Sequence, residues 1–281
     1  MEENIKKAKQ VLKDADAILI TAGAGMGVDS GLPDFRGDEG FWKAYPPLKK
    51  LGISFSQMAN PEWFEKNPAL AWGFYGHRLN LYRNTTPHDG FRILLEYANS
   101  KKGSYFIFTS NVDGQFQKAG FDDNRIMECH GSIHYLQCTQ NCSDDIWSSS
   151  STQVKVDLNT FNIIETIPEC KNCNTISRPN ILMFGDWSWN PKRSDEQASR
   201  FQRWIEEINL NRYKLAIIEI GAGEAVPTVR LTSQEVAQRY NATLIRINPK
   251  DFSVPEESYV SIQSGGLEGI KKICNGQFGT I

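Results

Sequence analysis

The sequence is poor in the features that would tie it to a membrane, a secreted scaffold or a nucleic acid. No stretch approaches the ~20 consecutive apolar residues of a membrane-spanning helix. Six cysteines in 281 residues are too few for a disulfide framework. Neither sign of charge is in excess: 31 Lys and Arg face 33 Asp and Glu, for a net charge of −2. No global basic field therefore draws the chain to nucleic acid or anionic lipid, and no direct nucleic-acid or membrane partner is expected. The opening MEENIKKAKQVLKDADA is charged and amphipathic and lacks the apolar core of a signal peptide, so the expectation is a cytoplasmic protein. There is no internal repeat, and the polar run Ser148 to Thr152 reads as a solvated loop. No Gly-Lys-Ser/Thr follows the first glycine cluster, which excludes a P-loop.

What is present is globular. Hydrophobic residues make up 40% and charged residues 23%, against disorder. At about 150 residues per domain the length suits one large domain or two small ones. Ile5, Ala8, Val11 and Leu12 have helical spacing within residues 3–15. Ala17 to Thr21 is an apolar run of strand length that ends in glycines, the usual opening of a nucleotide-binding α/β sheet. Further buried strands are expected at Ser104 to Thr109, Lys214 to Ile220 and Ala242 to Ile247. Helices are expected at about 88–101, 194–209, 229–239 and Leu267 to Cys274. This alternation predicts an α/β, Rossmann-like parallel sheet with helices on both faces.

Two segments break the rhythm. Residues 38–87 are rich in aromatics and read as helical with loops; residues 135–178 hold four of the six cysteines. Both are read as insertions forming a smaller module. The sheet domain then comprises 1–37, 88–134 and 179–281, with a helical insertion at 38–87 and a metal-binding insertion at 135–178.

The chemistry-bearing motifs lie at strand ends. Small residues from Gly23 to Gly27 let backbone N–H groups approach a pyrophosphate, with a following helix N-terminus to favour its charge. The loop is not a strict G-x-G-x-x-G, because Val28 takes the third glycine position; by itself it equally fits a tight turn. Asn111 and Asp113 follow a strand, where α/β sheets bind ligands and where a helix N-cap also commonly sits. His130, before a glycine, has the intrinsic pKa of a general base near neutrality, but a lone histidine there equally fits a buried core residue. Cys129 is its neighbour, but adjacent side chains in an extended segment point apart, which argues against a thiol–imidazole dyad. Cys138-x3-Cys142 and Cys170-x2-Cys173 are two close pairs separated by a loop, the pattern of a closed four-thiolate zinc site. Cys129 and Cys274 read as buried apolar residues, and His134 is a weaker further ligand candidate.

The longer string G-A-G-x-x-x-x-S-G-L-P-D-F-R-G (Gly23 to Gly37) resembles the sirtuins, the NAD-dependent protein deacylases. So do Ser110-Asn111-Val112-Asp113 with Ala119-Gly120, Glu128-Cys129-His130-Gly131-Ser132, Arg178-Pro179 to Phe184-Gly185-Asp186, and Gly221-Ala222-Gly223 to Pro227. The resemblance runs in matched order over roughly residues 15–275. It implies that Gly23, Ala24, Gly25, Phe35, Arg36, Ser110, Asn111, Asp113, Gly221, Gly223 and Asn248 face NAD. It implies His130 as general base, Asn111 as a second catalytic residue, and Ile181, Met183 and Phe184 lining the acyl-lysine channel. The helical stretch from Asn60 to Arg78 resembles that of sirtuins with a Y-x-x-R pair. Tyr75 and Arg78, three apart on one helix face, would then bind the carboxylate of succinyl- or malonyl-lysine. The chain departs from the family at Gly27, where serine is usual, at Ser110 in place of glutamine, at Gln115-Phe116, and at Ala222 and Gly223 in place of Thr-Ser; Glu224 is new there.

The resemblance therefore implies deacylation of protein lysines with NAD as co-substrate and one structural zinc. Two alternatives stay open: an NAD glycohydrolase or protein ADP-ribosyltransferase on the same scaffold, and a non-catalytic module that binds NAD or ADP-ribose. The protein substrate and oligomeric state are not legible.

Overall fold

A computed structural model describes residues 1–34, 37–164 and 166–274. In chain order its strands are β1 (Ala17–Ala22), β2 (Tyr105–Thr109), β3 (Ile126–Glu128), β4 (Gly131–Cys138), β5 (Ile146–Ser148), β6 (Ser177–Ile181), β7 (Leu215–Ile220), β8 (Thr243–Ile247) and β9 (Val260–Ile262). The helices are α1 (Glu2–Asp14), α2 (Gly37–Ala44), α3 (Pro46–Lys50), α4 (Phe55–Met58), α5 (Trp63–Lys66), α6 (Pro68–Asn84), α7 (Asp89–Asn99), α8 (Gln115–Lys118), α9 (Lys192–Leu210), α10 (Thr228–Arg239) and α11 (Gly266–Cys274). No helix among the described residues is long and apolar enough to cross a membrane.

β1 shows why the sheet is doubly covered. Its side chains alternate, and both faces are buried. Ile18, Ile20 and Ala22 join a core with Leu12 of α1, Phe91 and Leu94 of α7, and Ile270 and Ile273 of α11. Ala17 and Leu19 face the other way, with Phe106 and Phe108 of β2, Trp204 and Ile208 of α9, and Val229 and Val236 of α10. Thr21, also on this second face, keeps its hydroxyl satisfied by a 2.8 Å hydrogen bond to Ser233 of α10. A strand buried on both faces reads as a continuous apolar run, as this one does.

The six-stranded sheet is parallel, in the order β3-β2-β1-β7-β8-β9. From β1 the chain proceeds to β2 and β3 on one side; β7, β8 and β9 extend the other. The switch point therefore lies between β1 and β7, where open α/β sheets bind ligands at the strands' carboxyl ends. A second, antiparallel sheet has the order β5-β4-β6. An aromatic core fills the space beside it, with Phe41, Tyr45, Phe64, Trp72, Phe74 and Tyr75 meeting Val154, Phe161, Ile181 and Met183. The α6 helix within it starts on Asn67, whose side chain accepts the Leu70 N–H at 3.1 Å, with Pro68 at the first helical position.

The expected helices and strands are present, shifted at their ends by a residue or two. Three features differ or were not foreseen. The glycine loop leads into a 3-10 helix, Ala24–Ser30, closed by left-handed Gly31, rather than into an α-helix. Gly25 and Gly27 are weak helix formers, and the Gly25 N–H is already bonded to Gly221 O. β3 and β9 have three residues each, too few to show a period. The small sheet was not expected; β4 and β6 run across the anticipated segment joins at 134/135 and 178/179.

Candidate active site and metal centre

The two glycine loops meet at the switch point. Gly23 N–H donates to Ile220 O, and Gly25 N–H to Gly221 O, each at 3.0 Å. Gly221 is left-handed (φ +62°), and a Cβ there would lie 2.4 Å from the Gly25 carbonyl carbon. Only glycine serves at this contact. The N–H groups of Ala222, Gly223 and Glu224 donate to no described residue. Successive free amides beside a glycine turn suit an anion. Gly27 is enclosed by Leu32, whose Cδ1 would be 3.1 Å from an added Cβ, so serine would crowd it. Phe35 and Arg36 lie outside the described residues. Asn248 is wholly buried. Its Nδ2 donates to Ala222 O at 2.8 Å, and its Oδ1 accepts the N–H groups of Lys250 and Asp251, both at 3.0 Å. These bonds tie the second glycine loop to the end of β8.

Beyond β2 the chain turns through Ser110 to Gly114. Thr109 Oγ1 donates to Ala22 O and accepts the Asn111 N–H, while Asn111 Nδ2 donates to Gly23 O at 3.0 Å. Asn111 thus faces the first glycine loop, and its Oδ1 accepts no bond from a described residue. Asp113 is 9% exposed, and its Oδ1 accepts the Gln115 N–H at 2.9 Å. Burial pushes its carboxyl up to about 6. The helix cap expected near here falls to left-handed Gly114. His134, on β4, bonds the Asp113 carbonyl at 2.9 Å; it is not in the metal cluster.

His130 follows β3 at the same edge. Its main chain accepts Leu182 N–H at 3.0 Å, and its buried ring lies near the Ser110 carbonyl. Burial lowers its pKa below the ordinary histidine value, partly opposed by the Ser110 carbonyl. A neutral imidazole carries one unprotonated nitrogen that can act as a base.

The segment after β6 approaches His130 from the other side. Ile181 and Met183 are buried in the aromatic core beside Tyr75, whereas Phe184 is 43% exposed and packs edge-on against Phe55. Tyr75 is fully buried, and its hydroxyl has no hydrogen-bond partner among the described residues. Arg78 donates from Nε and Nη2 to the Tyr82 hydroxyl at 3.1 and 2.9 Å. Its guanidinium lies over the rings of Phe74, Tyr75 and Tyr82.

Sequence reasoning missed the group that shapes this segment. Arg178 and Asp186 form a fully buried ion pair at 2.6 Å. Asp186 also accepts the N–H groups of Met183 and Ser188, so residues 183–188 wind around one carboxylate. A second buried pair, Glu219 and Arg246, stands just before the second glycine loop and at the end of β8. That one left a signal: opposite charges interrupt two apolar runs and fall in direct register between β7 and β8.

The sulfurs of Cys138, Cys142, Cys170 and Cys173 all lie within 4.8 Å of one another, with the Cys138–Cys173 and Cys142–Cys170 pairs at 3.6 Å. Zn–S bonds of about 2.3 Å in a tetrahedron require sulfurs roughly 3.8 Å apart. The four thiols fit a structural zinc and leave no open ligand position. Cys129 and Cys274 stand apart, and burial pushes each thiol up to about 12.

The Sir2 family model matches residues 23–208. An NAD-dependent protein deacylase of Aquifex aeolicus is 26% identical over 257 residues, covering 91% of this chain and 93% of that one. A probable bifunctional ADP-ribose hydrolase/ADP-ribosyltransferase of Fusarium oxysporum f. sp. cubense is 28% identical over 257 residues, covering 87% of this chain and 42% of that one. The crystal structure of a Sir2 homolog–NAD complex superposes with a TM-score of 0.70 at 23% identity, covering 96% of this chain and 92% of that one; it speaks for the fold.

Proposed function

This chain belongs to the Sir2 family, and on that premise we propose that it is an NAD-dependent protein-lysine deacylase. The observation that carries the reading is the convergence at the switch point. Two glycine loops in backbone contact, Asn111, Asp113 and a buried histidine share a single strand edge. The names of relatives that span nearly the whole chain support the same reading.

In this reading NAD supplies the ribose carbon to which the acyl oxygen adds as nicotinamide departs. The glycine loops hold the pyrophosphate with free amides. Asp113, ionised, accepts from the nicotinamide carboxamide. Asn111, tied to Gly23, orients the ribose. His130 takes a proton from a ribose hydroxyl at its unprotonated ring nitrogen, and that oxygen attacks the acyl carbon. Water then releases lysine and O-acyl-ADP-ribose. Phe35 and Arg36 are assigned to the nicotinamide end by motif alone. The metal centre holds the small sheet and enters no step.

For the acyl group we read Tyr75 and Arg78 as the carboxylate site of an acidic acyl-lysine. The buried, unpartnered Tyr75 hydroxyl and the Arg78 fork support this, with Ile181 and Met183 lining the approach. The test is incubation with NAD and peptides carrying acetyl-lysine, succinyl-lysine or unmodified lysine, with products followed by mass spectrometry. Nicotinamide release that requires an acyl-lysine is the expected result. Arg78→Ala should depress desuccinylation far more than deacetylation; equal loss overturns the acidic-acyl reading.

One specific observation favours a second reading. Ala222 and Gly223 stand where the family has hydroxyl residues, and one relative is named for ADP-ribosyl transfer. Nicotinamide release without acyl-lysine, yielding ADP-ribose or modified protein, would establish that reading instead.

A further inference from the structure

We propose that the first turn of α9 positions His130, acting through Glu128; this rests on the assignment of His130 as base. β3 ends at Glu128 and β4 begins at Gly131, so His130 lies in the two-residue link between them. The α9 helix fixes the strand end from which that link departs. Ser194 Oγ donates to Glu128 O at 3.0 Å, and Glu128 N–H donates to Gln197 Oε1 at 3.0 Å. Gln197 Nε2 donates to the Glu128 carboxylate at 3.3 Å, and Arg193 forms an ion pair with the same oxygen. Every polar group of Glu128 is thus bound by three α9 residues. Glu128, Ser194 and Gln197 are each no more than 3% exposed. Arg193 is itself braced, its guanidinium 4.2 Å from the ring centre of Tyr135 on β4.

The next residues are fixed from the remaining sides. Cys129 N–H donates to Thr109 O at 2.9 Å, and Leu182 N–H to His130 O at 3.0 Å. β2, the segment after β6 and α9 therefore form three walls around one short stretch of main chain. The α9 wall touches neither cosubstrate nor acyl-lysine in the proposed reaction. It acts on where the unprotonated imidazole nitrogen sits. A displacement of an ångström or less at a base is enough to slow proton transfer.

Nicotinamide departure precedes the step that needs His130, so the two halves of the reaction can be read separately. Exchange of labelled nicotinamide into NAD, with acyl peptide present, reports the first half; O-acyl-ADP-ribose formation reports the whole. Gln197→Met should lower kcat for product roughly tenfold. It should leave exchange, and KM for NAD and peptide, within about twofold. Ser194→Ala should show the same split more weakly, Ser194→Thr should restore product formation, and this pair carries the test if Gln197→Met does not fold. Exchange and product falling together in folded variants, or neither changing, overturns the clamp. His130→Ala separates the two claims. Product formation surviving in it overturns the base assignment and the clamp with it. Its loss there, beside unchanged Gln197→Met and Ser194→Ala, overturns the clamp alone.

Discussion

Asp113 is a carboxyl that burial keeps protonated to about pH 6, and that single residue couples activity and stability in opposite directions. To accept from a carboxamide it must be ionised, so kcat/KM for NAD should fall as pH drops through about 6. Asp113→Asn should lower kcat/KM and remove that limb. The stability effect has the other sign. In the unfolded chain the group ionises near its ordinary pKa of about 3.9. Between there and about 6 the unfolded state therefore binds fewer protons, and stability falls as pH rises, by roughly 3 kcal/mol over the window. The amide introduced by that substitution is free of this loss and still offers an oxygen to the Gln115 N–H. The variant should melt higher than the native chain above pH 6, and the two should converge near pH 4. Thermal melts across that range check it; a variant less stable at every pH contradicts it.

At the scale of elements, the Arg178–Asp186 pair decides whether the segment after β6 has one conformation. Asp186→Ala leaves a guanidinium buried at 1% exposure without its carboxylate, which should cost about 3–5 kcal/mol in urea unfolding. It also frees the N–H groups of Met183 and Ser188, so peptide KM should rise. Asp186→Asn, which keeps an acceptor, should fall between; equal stability of all three chains would refute the role. This pair also marks the limit of legibility. β1, β2, β7 and β8 are apolar runs buried on both faces, and composition alone reveals them. The cysteines stand at a spacing that carries their chemistry, whereas His130 and Asn111 are singled out by the resemblance of the motifs around them. Arg178 and Asp186 lie eight residues apart in sequence, and nothing in their order says that a turn at left-handed Gly185 brings them together. The clamp on Glu128 spans more than sixty residues and is equally silent. Long-range polar pairing is set by tertiary packing, whereas strand burial is set by local pattern.

For the whole molecule the metal centre is more than a remote staple, because a buried glutamine joins it to the substrate side. Gln137 precedes the ligand Cys138 on β4 and is 1% exposed. Its Oε1 accepts Asn180 Nδ2 of β6 at 2.9 Å and Asn190 N–H at 3.1 Å, and its Nε2 donates to Ser188 O at 2.9 Å. One side chain thus connects the metal loop, β6 and the end of the segment that follows it. The cysteine pairs come from two distant stretches of chain, and a bound metal ion would tie their thiolates together. Chelation should release one zinc per chain, because the four sulfurs lie within 4.8 Å of one another as a single set. Hydrogen exchange should then rise at residues 137–142, 168–181 and 188–190. It should change little in β1, β7 and α10, whose core is shared with the opposite face of the large sheet. Peptide KM should increase more than KM for NAD, since the glycine loops lie at the β1–β7 edge and make no bond to Gln137. Exchange confined to the cysteine loops, with peptide KM unchanged, would mean that Gln137 does not transmit the loss and that the small sheet tolerates an open metal loop.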